Sequence, residues 1–365
     1  MGFFDGFVPR KVEAAAQPVD QVDAANLQPY YSGQAPLFYL SDTTASRAEA
    51  MSVPTINRAC SIIQTIGSLP MHVRNEGTGE RVEPQPRVIN QPDPRIAGSV
   101  FWSWIVSDLF FHPTAYAYAT ERYADTGRIR AMERIAPERV TIQTNAQSTE
   151  ITAYMIDGSY IDANNLVVFA GCSEGLLSRA GRTIKAAAAL EAAALDFALN
   201  PSPQMVLSSN GTSLPADRVA KLKQALLQRT KKAFLFLNAD VKLDTFGYDP
   251  KSLQMNEARN YVALELARAT GIPAYFVDAQ QSTFTYSNAL DKRRDLIDFA
   301  FRNYLSVVEQ RMSFADFVPA GQVVRFDLDD FLRGSLAERI AAYKTLFEIG
   351  AITVDEIREE EDMLL

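Results

Sequence analysis

Between residues 53 and 69 apolar side chains recur every three or four positions, at Ile56, Ala59, Cys60, Ile63 and Ile66, the period of a helix with one buried face. Ordered structure is therefore expected to begin near Val53, after a weakly patterned arm over residues 1–45 that is rich in Ala, Gln, Asp and Pro. Gly67 and Pro70 close the helix, and MHVRN reads as a short strand. The polar, turn-rich stretch 77–95 predicts a surface loop, and 99–111, which carries Trp102 and Trp104, an apolar helix. Residues 115–170 then switch to short β-branched and aromatic runs (AYAYATERY, IRAMERI, RVTIQTN, ITAYMID, NLVVFA). These predict a meandering antiparallel sheet.

A different pattern follows. GRTIKAAAALEAAALDFAL, residues 181–199, is dominated by the best helix former and is stopped by Asn200-Pro201. It predicts a thin rod of roughly 28 Å. Residues 202–250 form an inserted module: a strand at MVLSS, a helix over 217–232, and a strand pair from AFLFLN and KLDTFG around Ala239-Asp240. A second long helix spans 253–270, closed by Gly271 and Pro273. The loop after it, AYFVDAQQSTFTYSN, is long enough to be either functional or disordered. Asn288 is placed to cap a long amphipathic helix to about Met312, striped by Leu290, Ile297, Phe301, Tyr304, Val308 and Met312. QVVRFDLDDF reads as a strand, and Ser335-x-x-Glu338 and Thr353-x-x-Glu356 open two short C-terminal helices around Gly350. The class is α+β, with a module inserted between two long helices.

Composition narrows the chemistry. The chain has 365 residues, 47% apolar and 22% charged, and carries a net charge of −8. A generic basic nucleic-acid binder is excluded, because it needs a Lys/Arg excess to release counterions. Weak or local contact with DNA is not. Two cysteines, Cys60 and Cys172, make no disulfide framework, and two histidines, His72 and His112, make no zinc spacing. No apolar run of about 18 residues predicts a membrane span, and the N-terminus has no signal-peptide layout.

Candidate motifs weigh poorly. GLLSRAGRT spans Gly175 to Thr183, but its glycines are one residue too far apart for a phosphate loop and Arg182 replaces the lysine. A loop feeding the Ala-rich helix is expected instead. Asp327, Asp329 and Asp330 read as an acidic strand end rather than a cation site. Arg229, Lys231 and Lys232 form the densest basic spot of the inserted module, a solvated surface or a contact for an acidic partner or DNA phosphate. No catalytic constellation appears, and no cofactor is called for. A nucleotide- or metal-dependent enzyme with an unfamiliar site, or a monomeric adaptor, remain the alternatives.

Four segments in this order carry a resemblance: RACSIIQTIGSLPMHV, LARATGIP, TYSN followed by NYLSVVEQRMS, and FLRGSLAERIAAYKTLFEIGAITVDEIR. Together they resemble the portal proteins of tailed bacteriophages, in the branch typical of long-tailed phages. Two positions depart from the family pattern: Pro113-Thr114-Ala115-Tyr116 stands where Gly-Asn-Ala-Tyr is common, and Asp355-Glu356 where Asn-Glu is usual.

The resemblance implies a portal-type elongated subunit: arm 1–45, wing 46–178, stem helix 179–201, clip 202–250, second stem helix 251–273, tunnel loop 274–287, long helix and wing strand 288–333, and a short crown 334–365. It implies a non-enzymatic ring of about twelve subunits with heterologous, closing contacts. Its partners would be double-stranded DNA, the terminase large subunit, a head–tail connector or adaptor, and the major capsid and scaffold proteins, with no membrane. It would be assembled in the host cytoplasm and reside at the portal vertex of the virion. By the same resemblance Gln280, Gln281, Ser282, Thr283, Phe284 and Thr285 would approach DNA. Arg182, Lys185, Ala188 and Glu191 would make stem contacts in the ring, and Arg229, Lys231 and Lys232 clip contacts.

Overall fold

The structure is a computed structural model that describes residues 44–144, 151–199, 204–209, 217, 220, 241–246, 255–277, 289–328, 331, 336–354 and 357–358. The chain divides into two compact units, Met1–Ala188 with Val262–Leu365, and Ala189–Tyr261. Both division points fall inside long helices.

The first unit starts earlier than Val53. Helix α1 (Arg47–Met51) is held by a reciprocal capping box between Ser46 and Glu49, a Ser-x-x-Glu signal that short helices depend on. Helix α2 (Pro54–Gln64) buries Ile56, Ala59, Cys60, Ile62 and Ile63 and tightens into a 3₁₀ turn at Thr65–Ser68. At Gly67 any Cβ would collide with the Ser103 backbone, so glycine is what lets this turn press against the next long helix. Strand β1 (Met71–Asn75) follows. The stretch expected to be a surface loop contains a helical turn, α3 (Arg87–Asn90), whose Val88 and Ile89 are buried. An apolar pair inside a polar run is enough to dock it, and Ile89 C=O accepts from the Trp102 indole at 3.0 Å. Helix α4 (Gly98–Phe111) is buried along most of its length.

The expected meander is two sheets instead. Strands β2 (Thr114–Arg122), β3 (Ile129–Ile135) and β7 (Leu166–Ala170) form one in the order β3-β2-β7. Strands β4 (Val140–Thr144), β5 (Ile151–Ile156) and β6 (Ser159–Ile161) form the other. All pairings are antiparallel. The reason lies in AYAYA, which is buried on both faces and therefore needs a neighbour on each edge. Ala115, Ala117 and Ala119 face the helical core with Phe169 and Met132. Tyr116 and Tyr118 alternate to the other side, where a smaller core with Ile151, Tyr154 and Ile156 joins the two sheets.

Helix α5 (Leu176–Arg179) begins after Gly175, whose φ is +78°, so the segment expected to be a loop carries a helical turn. Helix α6 (Gly181–Leu199) matches its predicted bounds. Strands β8 (Gln204–Ser209) and β9 (Val241–Phe246) pair with each other. The expected partner AFLFLN lies outside the described residues, as does nearly all of the 217–232 helix. Helix α7 (Met255–Thr270) is followed by Gly271 at φ +74°. The long helix reaches Met312 as expected and carries a π turn, Ile297–Phe301, between α8 (Ala289–Leu296) and α9 (Arg302–Met312). The wider turn lets successive residues Ala300 and Phe301 both face the core while Phe299 stays exposed. Asn288 lies outside the described residues. Strand β10 (Gln322–Phe326) pairs with β1 and stops there, because Asp327 N–H donates to Pro70 C=O at the end of its short partner. Helix α10 (Leu336–Glu348) ends before Gly350, φ +71°; Ser335, Asp355 and Glu356 lie outside the described residues.

Candidate assembly surface

Among the described residues, several groups that chemistry would use are committed to structure. Asp108 is fully buried, and its carboxylate accepts two bonds from Arg134, each 2.6 Å, and one from Arg47 at 3.1 Å. Ser107 accepts from the same Arg47 at 3.0 Å. The Cys60 thiol lies 3.5 Å from the Ser107 hydroxyl, and burial pushes its pKa up, so it stays protonated and inert. His112 contacts Glu138 at 3.1 Å, yet burial holds its pKa below the ordinary value. Burial also lowers His72. Among the described residues no three His, Cys, Asp or Glu side chains gather as a metal site, and no helix is long and apolar enough to cross a membrane. Asp327 sits 3.8 Å from His72; Asp329 and Asp330 lie outside the described residues. Trp102 is core, stacked edge-on against Phe101 and Phe169, whereas Trp104 is half exposed under the Arg134 guanidinium.

What the long helices offer is surface. In the first unit, α6 starts with Arg182 and Lys185 exposed, Ile184 and Ala187 buried, and Ala188 partly buried against the helical core. In the second unit, Glu191 on α6 accepts both bonds of a bidentate pair from Arg259 on α7, at 2.9 and 2.7 Å. That pair fixes the two helices to each other. Around it α6 exposes Ala189, Ala192 and Ala193, and Leu195 and Leu199 are 60% and 70% exposed. Tyr261 on α7 is 64% exposed. Of the four expected stem residues, then, Arg182 and Lys185 are open, Ala188 packs inward, and Glu191 is engaged within its own chain. The sequence reading passed over Leu195, Leu199 and Tyr261. Their signal was available, since two leucines four apart in an alanine helix lie on one face. The expected DNA-facing residues Gln280, Gln281, Ser282, Thr283, Phe284 and Thr285, and the basic trio Arg229, Lys231 and Lys232, lie outside the described residues.

A thin, alanine-rich helix with large apolar side chains left open, and no reacting centre among the described groups, is the arrangement of a protein that packs against others. The chain belongs to the phage portal protein family, whose pattern matches residues 54–362. Two named relatives bear this out. The portal protein of Enterobacteria phage HK97 is 23% identical over 352 residues, covering 89% of this chain and 82% of the relative. The probable portal protein of Streptomyces phage phiC31 is 26% identical over 205 residues, 53% of this chain and 44% of the relative. The fold is shared with a crystal structure of an HK97-family phage portal protein from Corynebacterium diphtheriae, at TM-score 0.64 and 22% identity over 80% of this chain and 98% of that one. It is also shared with a chain in the neck of a native gene transfer agent particle computed with C12 symmetry, at TM-score 0.58 and 15% identity over 93% and 97%. This is a mixed helix and strand portal fold in a protein with a structural role in the phage head.

Proposed function

We propose that this chain is the repeating subunit of a closed ring of about twelve copies at one vertex of the phage head. The ring is the conduit for DNA during packaging and ejection, the nucleator of head assembly with major capsid and scaffold proteins, and the dock for terminase and the head–tail connector. The observation that carries the reading is the open apolar face of α6, with Leu195 and Leu199 exposed on an alanine helix in a family of portal proteins. Such a face is costly to leave in water and is covered when a neighbouring copy packs on it. Residues 46–178 and 288–333 are the wing, 179–201 and 251–273 the stem, 202–250 the clip, 274–287 the tunnel loop, and 334–365 the crown.

The ring performs no chemical step. Its net charge of −8 per subunit suits a channel that lets DNA slide, since repetition around the ring multiplies every lysine placed in the lumen. Gln280, Gln281, Ser282, Thr283 and Thr285 touch phosphate without strong ion pairing, and Arg229, Lys231 and Lys232 face the clip's partners. The test is to co-express a gold-taggable chain with the head proteins and image the particles. One label per head, at a single vertex, is expected. Labels scattered over many vertices, or heads that form normally without the chain and never incorporate it, would overturn the assignment.

A further inference from the structure

A cavity of about 390 Å³ opens in the first unit, lined from the end of α4, the starts of β2 and β4, and the turn into α5. That size is within the range of pockets that hold one small organic molecule. Much of its wall is apolar: Phe111, Pro113, Val140 and Leu177. Arg47, His112, Glu138 and Glu174 also line it, and the first three are matched to partners. Arg47 lies 3.1 Å from Asp108, which it shares with Arg134, and 4.0 Å from Glu138. His112 contacts the same Glu138 carboxylate at 3.1 Å, and burial holds its pKa below the ordinary value, so it adds no charge at neutral pH.

Glu174 is different. It is half-buried in the lining, and among the described residues no cation is paired with it. The turn that carries it is built for close approach. Gly175 has φ +78°, and a Cβ there would fall 2.5 Å from the Phe111 carbonyl oxygen. Glycine alone lets the chain pass this near the end of α4, and the same turn delivers Glu174, Leu177 and Ser178 to the cavity. The lining thus keeps a net negative charge beside an apolar wall. An uncharged occupant would strip water from that carboxylate and return nothing, and an anion would be repelled. A cation on an apolar body answers both surfaces, because its N–H groups donate to the carboxylate in charge-assisted bonds. We propose that this cavity binds a small organic monocation, an amine on an aromatic or aliphatic body, with the body against Phe111, Val140 and Leu177 and the ammonium at Glu174.

Isothermal titration calorimetry of the full-length chain with three indoles of matched shape tests it. Tryptamine carries the cation, tryptophol is neutral and indole-3-propionate is an anion. Tryptamine is expected to bind saturably, about tenfold tighter than tryptophol, the worth of one hydrogen bond to a charged group. Indole-3-propionate should bind weakest. Glu174→Gln keeps the shape of the side chain and should bring tryptamine down to the affinity of tryptophol, which stays unchanged. Val140→Trp, which fills the cavity, should remove both. Tryptophol binding as tightly as tryptamine, or a tryptamine preference that survives Glu174→Gln, would overturn the role given to Glu174. No saturable binding of tryptamine at millimolar concentration, with the protein folded by circular dichroism, would overturn the site itself. Should Val140→Trp fold poorly, Glu174→Gln locates the site without it, since it breaks no ion pair among the described residues.

Discussion

Arg311 gives the sharpest energetic test of how the first unit is held together. Its guanidinium is 3% exposed and makes a bidentate pair with the 2%-exposed Asp316 carboxylate, at 2.9 and 2.7 Å. Its Nε donates to Val168 C=O at 3.2 Å, which ties α9 to β7. The rings of Phe314 and Phe317 lie about it, 5.2 and 5.0 Å from the guanidinium carbon to their centroids. Arg311→Met keeps much of the apolar volume but leaves a buried carboxylate without its counter-charge and takes the Arg311 bond from the Val168 carbonyl. Removing one partner of such a pair costs about 3–5 kcal/mol. For a unit of this size, roughly 2–4 °C of melting temperature is lost per kcal/mol, so a fall on the order of 10 °C is expected. The double variant R311M/D316L removes both charges and should regain most of the loss, because the desolvation of two ions is no longer required. Thermal unfolding by circular dichroism, at one protein concentration so that association is constant, reads both. A single variant within about 1 kcal/mol of the parent, or a double variant as unstable as the single, would refute the reasoning.

Other outcomes follow from the same geometry. Asp108→Ala should cost about 3–5 kcal/mol by stranding Arg47 and Arg134, whereas Arg139→Gln, which breaks the exposed pair with Asp157, should cost less than about 1 kcal/mol in the same melts. Burial lowers the His112 pKa from 6.5 and Arg47 adds to this, while Glu138 and Asp108 oppose it. The unfolded chain therefore binds more protons just below that pH, and stability should fall as pH drops from 6.5 towards the folded value. His112→Gln should flatten that slope in urea titrations, and His72, also lowered, supplies a remainder. Leu195→Asp with Leu199→Asp should abolish large assemblies in native mass spectrometry and leave the circular dichroism spectrum unchanged. Ala192→Trp, on the open side of α6, should do the same, while Ala188→Trp should also destabilise the subunit by about 1–3 kcal/mol, because Ala188 packs inward. Deleting residues 280–286 should leave assembly intact and impair DNA packaging or retention in head-filling assays; loss of assembly would sink the tunnel-loop assignment.

Much of the fold was legible because local signals agreed with tertiary demand. The alanine helix spans Gly181–Leu199 as composition dictates, and Gly271 closed α7 in the left-handed conformation its position requires. The misses have physical causes. Strand order in the sheets is a long-range choice: β2 takes β7 from far along the chain, and only its burial on both faces betrays a central strand. The π turn depends on two adjacent side chains sharing the core, which a 3.6-residue stripe cannot express. Val88 and Ile89 were too few to stand out from the prolines and charges around them. At the assembly surface, alanine content pointed to α6, but the engagement of Glu191 by Arg259 and the inward packing of Ala188 are set by α7 and the core, not by α6 itself.

The central claim, a ring-forming portal subunit, is tested most directly by native mass spectrometry of the purified chain together with negative-stain imaging. A mass near a dozen subunits and particles with a central hole are expected. A compact dimer without a channel, unchanged by Leu195→Asp and Leu199→Asp, would contradict it.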